Sequence, residues 1–131
     1  MAAPAKEAKT SMLQAPIFTE IQYYIHNVPE HEWKKAVTFF SETMGLVLKT
    51  DTDGWAEFIT GGGIIFALHA EKYPAAKNTG ICFHVMDCDE AANLLKIRNV
   101  EGVTAPRSVC EGTRSFDFKD PFGNTFSASG K

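Results

Sequence analysis

From Ile17 to Ile25 apolar and polar residues alternate, with Ile21, Tyr23 and Ile25 on one side and Glu20, Gln22 and Tyr24 on the other. That period predicts a half-buried strand, which His26-Asn27-Val28-Pro29 breaks. The period then lengthens. Trp33, Val37, Phe40 and Met44 form one stripe of a helix from Glu30 to Met44. Acidic Glu30 and Glu32 suit its first turn and Gly45 its end. Strands follow at Leu46–Thr50, Trp55–Thr60 and Ile64–His69, separated by the turns Asp51-Thr52-Asp53-Gly54 and Gly61-Gly62-Gly63. A linker spans Glu71–Asn78.

The pattern then repeats. Thr79–Val85 alternates, and Asp87 caps a helix from about Cys88 to Arg98 with Ala91, Leu94, Leu95 and Arg98 at helical spacing. Val103–Ala105 is a short strand. Thr113–Lys119 and Asn124–Ser129 close a hairpin through Asp120-Pro121-Phe122-Gly123-Asn124. A shift of 60 residues lays Glu20–Ile25 on Gly80–Val85, Phe58 on Phe118 and Ile65–Leu68 on Thr125–Ala128, whereas Gly45 and Gly102 need a shift of 57. The chain therefore reads as two βαβββ modules, about 17–70 and 79–131.

One helix covers only one face of such a sheet. Two modules with their sheets curled together would enclose a cleft. By this parity Ile21, Tyr23, Ile25, Phe66 and Leu68 face the first helix, and Ile81, Phe83, Val85, Phe126 and Ala128 the second. The alternate residues line the cleft: Glu20, Gln22, Tyr24, Ile65, Ala67, His69, Gly80, Cys82, His84, Thr125, Ser127 and Ser129, with Trp55 and Glu57. This mixture of polar and aromatic groups suits a small molecule.

Composition narrows the rest. The 131 residues suffice for one core, giving a single domain over 16–131 behind a tail over 1–15. A net charge of -3 recruits neither nucleic acid nor anionic membrane, and no apolar run reaches the length of a membrane span. Three cysteines without a CxxC pair fit free thiols in a reducing compartment. The tail has no signal-peptide core, so cytosol is the expected location.

The paired modules, the segment Thr38-Phe39-Phe40-Ser41-Glu42-Thr43-Met44-Gly45-Leu46 and the turn Asp120–Asn124 resemble the vicinal oxygen chelate superfamily, which is the glyoxalase, bleomycin-resistance and dioxygenase group. The likeness covers about residues 17–129. It implies an α+β fold of two βαβββ modules forming a curved mixed sheet around a cleft. It also implies dimers in many single-domain members, sometimes by exchange of modules across the 71–79 linker. Its first strand-to-helix join is longer here than is usual. The scaffold hosts lyases, isomerases, dioxygenases and plain binding proteins, so it implies no one activity.

In its metal-using members each module supplies one ligand from the start of its first strand and one from its last. Carried over by register, these positions are Glu20, Ala67, Gly80 and Ser127, of which only Glu20 is a usual ligand. The resemblance thus implies that the usual metal is absent, and no cofactor is expected.

Other candidates have ordinary readings. His26 and His69 suit strand ends near the rim; Cys82 beside His84 suits a packed thiol as well as a nucleophile; Glu57 suits a solvated sheet face as well as a base. Tyr24, Trp55 and His84 suit stacking on a flat ligand or plain wall packing, and Arg114 an anion or the surface.

The expectation is a homodimeric protein binding a small molecule through Gln22, Tyr24, Trp55, Glu57, Ile65, His69, Cys82, His84 and Ser127. One alternative is an enzyme, a lyase, isomerase or dioxygenase, in which Glu20 and His84 are catalytic and Glu20, His69 and His84 hold a displaced divalent metal. Another is a structural or partner-binding protein whose cleft its own side chains fill.

Overall fold

The computed structural model describes residues 17–131. Strand β1 (Tyr23–Pro29) leads through a 3-10 turn (Glu30–Glu32) into helix α1 (Trp33–Thr38), which runs on as a wider π turn over Phe39–Thr43. Strands β2 (Val47–Thr52), β3 (Trp55–Ile59) and β4 (Ile65–Glu71) complete the first module. Strand β5 (Asn78–His84), helix α2 (Cys88–Ile97) and strands β6 (Arg107–Cys110), β7 (Thr113–Lys119) and β8 (Thr125–Gly130) form the second. Each module is a four-stranded mixed sheet, ordered β1-β4-β3-β2 and β5-β8-β7-β6. In each, first and last strands run parallel and the remaining pairs antiparallel. The two sheets are separate, not one closed sheet.

The wide turn after α1 has a local cause and a packing result. Ser41 Oγ donates to Val37 O at 2.7 Å, and Leu46 N reaches back to Phe40 O. Adjacent Phe39 and Phe40 are both buried as a result. Phe40 lies 5.1 Å from Phe66 and 5.6 Å from Phe126, ring centre to ring centre. Phe66 in turn meets Phe83 at 5.5 Å. The apolar sides of the two sheets therefore face one another, and one aromatic core serves both modules.

Three expectations change. The Ile17–Ile25 strand is displaced: residues 18–22 take no regular structure, and β1 runs through His26-Asn27-Val28 to Pro29. Pro29 fits at the last position of an edge strand, where no ladder donor is required. Ile25 pairs with Ala67 as Cys82 pairs with Ser127, so β1 maps onto β5 with the shift of 57 that the helices require. The parity of β1 is inverted accordingly. Tyr24, His26 and Val28 lie on the core side, and Tyr23, Ile25 and Asn27 on the open side. Lastly, the short strand of the second module is Arg107–Cys110, not Val103–Ala105. Residues 1–15, read as a tail, lie outside the described residues.

Candidate functional site

Each sheet has an open face, the one turned away from the shared core. On the N-terminal face Trp55 stands opposite His69 and Glu57 opposite Ala67 across the β3–β4 ladder. Tyr23 and Ile25 extend this face through β1. The Tyr23 and Trp55 rings meet edge to face at 5.7 Å, and Trp55 meets His69 at 6.3 Å. Trp55 Nε1 donates to Glu57 Oε2 at 2.8 Å, while Lys49 Nζ lies 3.6 Å from Glu57 Oε1. Both Glu57 oxygens thus have a partner, and one of them holds the indole.

The C-terminal face is more polar. Cys82 and His84 project from β5 beside Ser127 and Ser129 of β8. Cys82 Sγ lies 3.4 Å from Ser129 Oγ, and Ser127 Oγ donates to Asp117 Oδ1 at 2.7 Å. Asp117 and Ser115 belong to this face and were not among the expected residues. The 60-residue shift makes them the counterparts of Glu57 and Trp55, and that is the signal that would have found them.

The register change revises the metal positions. The counterpart of Gly80 is Tyr23, not Glu20, which lies outside every strand. The four positions are then Tyr23, Ala67, Gly80 and Ser127. Ala67 is buried and has no donor atom. Gly80 has no side chain and sits at φ +72, a conformation that side chains rarely adopt. Ser127 has its hydroxyl on Asp117. This donor set does not fit a divalent ion. Among the described residues no three His, Cys, Asp or Glu side chains gather in one place. The displaced set is also scattered. His69 lies on the N-terminal sheet and His84 on the C-terminal one.

Other expected residues fall elsewhere. Tyr24 leaves the open face for a groove of about 580 Å³ at the seam between the sheets, lined also by Phe66, Ile81, Phe83, Cys82 and His84. That groove is where one chain brings Tyr24, Cys82 and His84 together. Gln22 holds Ile65 N through its backbone carbonyl at 3.0 Å, and its side chain belongs to no strand face. Ile65 is half-buried on the open side. His69 is exposed and faces Asn27 Oδ1 at 3.3 Å. His26 is no rim residue: it is 1% exposed, among Phe40, Phe66 and Phe126. Arg114 turns toward α2, where Nη2 pairs with Asp89 at 2.9 Å and reaches Pro106 O. Among the described residues no helix is long and apolar enough to cross a membrane.

The same architecture recurs in solved structures. TnmS3, an antibiotic-binding protein from Streptomyces sp. CB03234, is 24% identical with a TM-score of 0.69, over 86% of this chain and 96% of its own. Lactoylglutathione lyase from Agrobacterium tumefaciens is 15% identical with a TM-score of 0.70, over 88% and 96%. A glyoxalase/bleomycin resistance protein/dioxygenase superfamily member from Sphaerobacter thermophilus is 25% identical with a TM-score of 0.69, over 88% and 100%. No curated protein matches the sequence. The family model described as Glyoxalase/Bleomycin resistance protein/Dioxygenase superfamily matches residues 27–128, and the chain belongs to that superfamily.

Proposed function

We propose that this protein binds a small aromatic molecule, without a metal, in clefts that form between two copies. The N-terminal open face of one copy supplies Tyr23, Trp55 and His69 as an aromatic wall. The C-terminal open face of the second supplies Cys82, His84, Asp117, Ser127 and Ser129 as a polar wall. The observation that carries the reading is the pairing of that ring cluster with a donor set unsuited to a metal. Exposed apolar residues on the N-terminal face support a covering partner: Ile25 is 52% exposed, Val47 62% and Ile59 49%. A second copy offers the polar face that complements it. The likeness to an antibiotic-binding protein is consistent with this role.

The test has two parts. Elemental analysis of protein purified without chelator is expected to find divalent metal well below one equivalent, and a full equivalent of Mn, Fe, Co, Ni or Zn overturns the metal-free reading. A panel of planar aromatic antibiotics is then titrated against Trp fluorescence. Saturable quenching that Trp55→Phe abolishes is expected. The seam groove gives a second reading, favoured by its union of Tyr24, Cys82 and His84. In that case Tyr24→Ala weakens binding and Trp55→Phe does not.

A further inference from the structure

A second cavity, of about 620 Å³, lies between the first helical passage and the Asp120–Asn124 turn. None of the open-face residues named above lines it. Its walls carry three cations, Lys35 from the first module and Arg98 and Lys119 from the second. The whole chain carries a net charge of -3, so this convergence runs against the general balance.

Each cation is held by a specific contact. Arg98 Nη1 donates to Thr43 O at 2.6 Å, which ties the end of α2 to the first module and fixes the guanidinium. Lys119 lies along Gly102. A Cβ there would come within 2.9 Å of Lys119 Cγ, so the bare backbone of Gly102 is the bed on which the lysine stem rests. Lys35 Nζ stands 6.0 Å from the Phe122 ring centre and 3.6 Å from Glu32 Oε1. Among the described residues Lys119 has no acidic partner within salt-bridge distance.

The two acids in the wall, Asp120 and Glu101, offset part of this charge, but among the described residues neither is paired with Arg98, Lys119 or Lys35. Asp120 is 1% exposed, and its carboxylate receives bonds from His26, Asn124 and the Phe122 amide. Glu101 is exposed. We infer that the cavity is a binding site for a small phosphate-bearing ligand. A guanidinium already oriented by one bond presents its other donors to phosphate oxygens, and Lys119, with Lys35 shared with Glu32, adds positive charge beside it.

Inorganic phosphate added to the full chain, followed by amide NMR, tests the site. Saturable shifts at the amides of Asn99, Gly102 and Gly123 are expected, while sodium chloride at matched ionic strength leaves them in place. Lys119→Gln is expected to weaken phosphate about fivefold or more without changing the fold. Lys35→Gln, on the other side of the cavity, is expected to act in the same direction. Adenosine monophosphate binding more tightly than phosphate points to a nucleotide, and equal binding to the free ion, both of which support the site. Shifts that rise linearly, that chloride reproduces, or that survive both substitutions overturn it.

Discussion

His26 Nε2 on β1 lies 2.8 Å from Asp120 Oδ2 in the turn of the other module, and both residues are buried. A carboxylate only accepts, so the ring donates. Asp120 also takes the amides of Phe122 and Asn124 on Oδ1 and the Asn124 side chain on both oxygens. The turn is thus folded around one carboxylate, which also fastens it to the first module. Among the described residues His26 Nδ1 has no partner.

Replacement of the two residues is therefore unequal. Asp120→Ala leaves the turn amides and His26 without their acceptor and is expected to cost about 3 kcal/mol in urea unfolding. His26→Phe removes one bond of several and an orphaned nitrogen, at an expected cost of about 1 kcal/mol. Phe83 already occupies the counterpart position in the second module.

The same carboxylate gives a pH dependence. Burial pushes the Asp120 carboxyl up, but the bonds from His26 and Asn124 outweigh it and hold the group below its ordinary 3.8. A depressed carboxyl contributes stability that is complete above the unfolded value and fades as pH falls through the folded one. The stability gap between the native chain and Asp120→Asn is expected to narrow between about pH 5 and about pH 2. A gap constant over that range contradicts the assignment.

Phe40 touches rings from both modules, at 5.1 Å to Phe66 and 5.6 Å to Phe126. Phe40→Ala is expected to destabilise the chain by about 4 kcal/mol, because the rigid sheets on either side cannot collapse into the space. Thermal unfolding of the variant checks this.

Ile25 tests the assembly. Ile25→Glu places a charge on the N-terminal open face and leaves the core untouched. If the proposed dimer forms, the change is expected to raise its dissociation constant at least about tenfold, read by light scattering, with an unchanged circular dichroism spectrum. A dimer of native strength moves the interface elsewhere.

The three thiols should separate by reactivity. Cys82 and Cys110 are exposed, whereas Cys88 is buried with its Sγ 3.1 Å from Arg114 O. Burial pushes the Cys88 thiol up despite the nearby Arg114 charge. A thiol reagent is expected to label two groups in the folded chain and the third only on unfolding.

The duplicated architecture was legible in the sequence because β3, β4, β7 and β8 each have one apolar and one polar side. Trp55-Ala56-Glu57-Phe58 and Ser115-Phe116-Asp117-Phe118 alternate without ambiguity. Strand β1 was not legible in this way. Ile21, Tyr23 and Ile25 form an apolar row, yet Tyr23 and Ile25 lie on the open face, so alternation alone points the wrong side inward. The buried His26 compounds the error, since a histidine in a core is recognisable only once Asp120 is seen beside it. The overlong first strand-to-helix join was the available warning. Moving β1 to Tyr23–Pro29 removes it.

The aromatic contact between modules, Phe66 on Phe83 and Phe40 on Phe126, also governs how the molecule comes apart. Neither half keeps a private interior, so neither has a stable existence alone, and melting should be a single cooperative event. The connection over 72–77 carries no strand or helix and contributes mainly proximity. A chain nicked there would behave as a two-piece protein, whose halves hold together through their rings and whose stability depends on concentration.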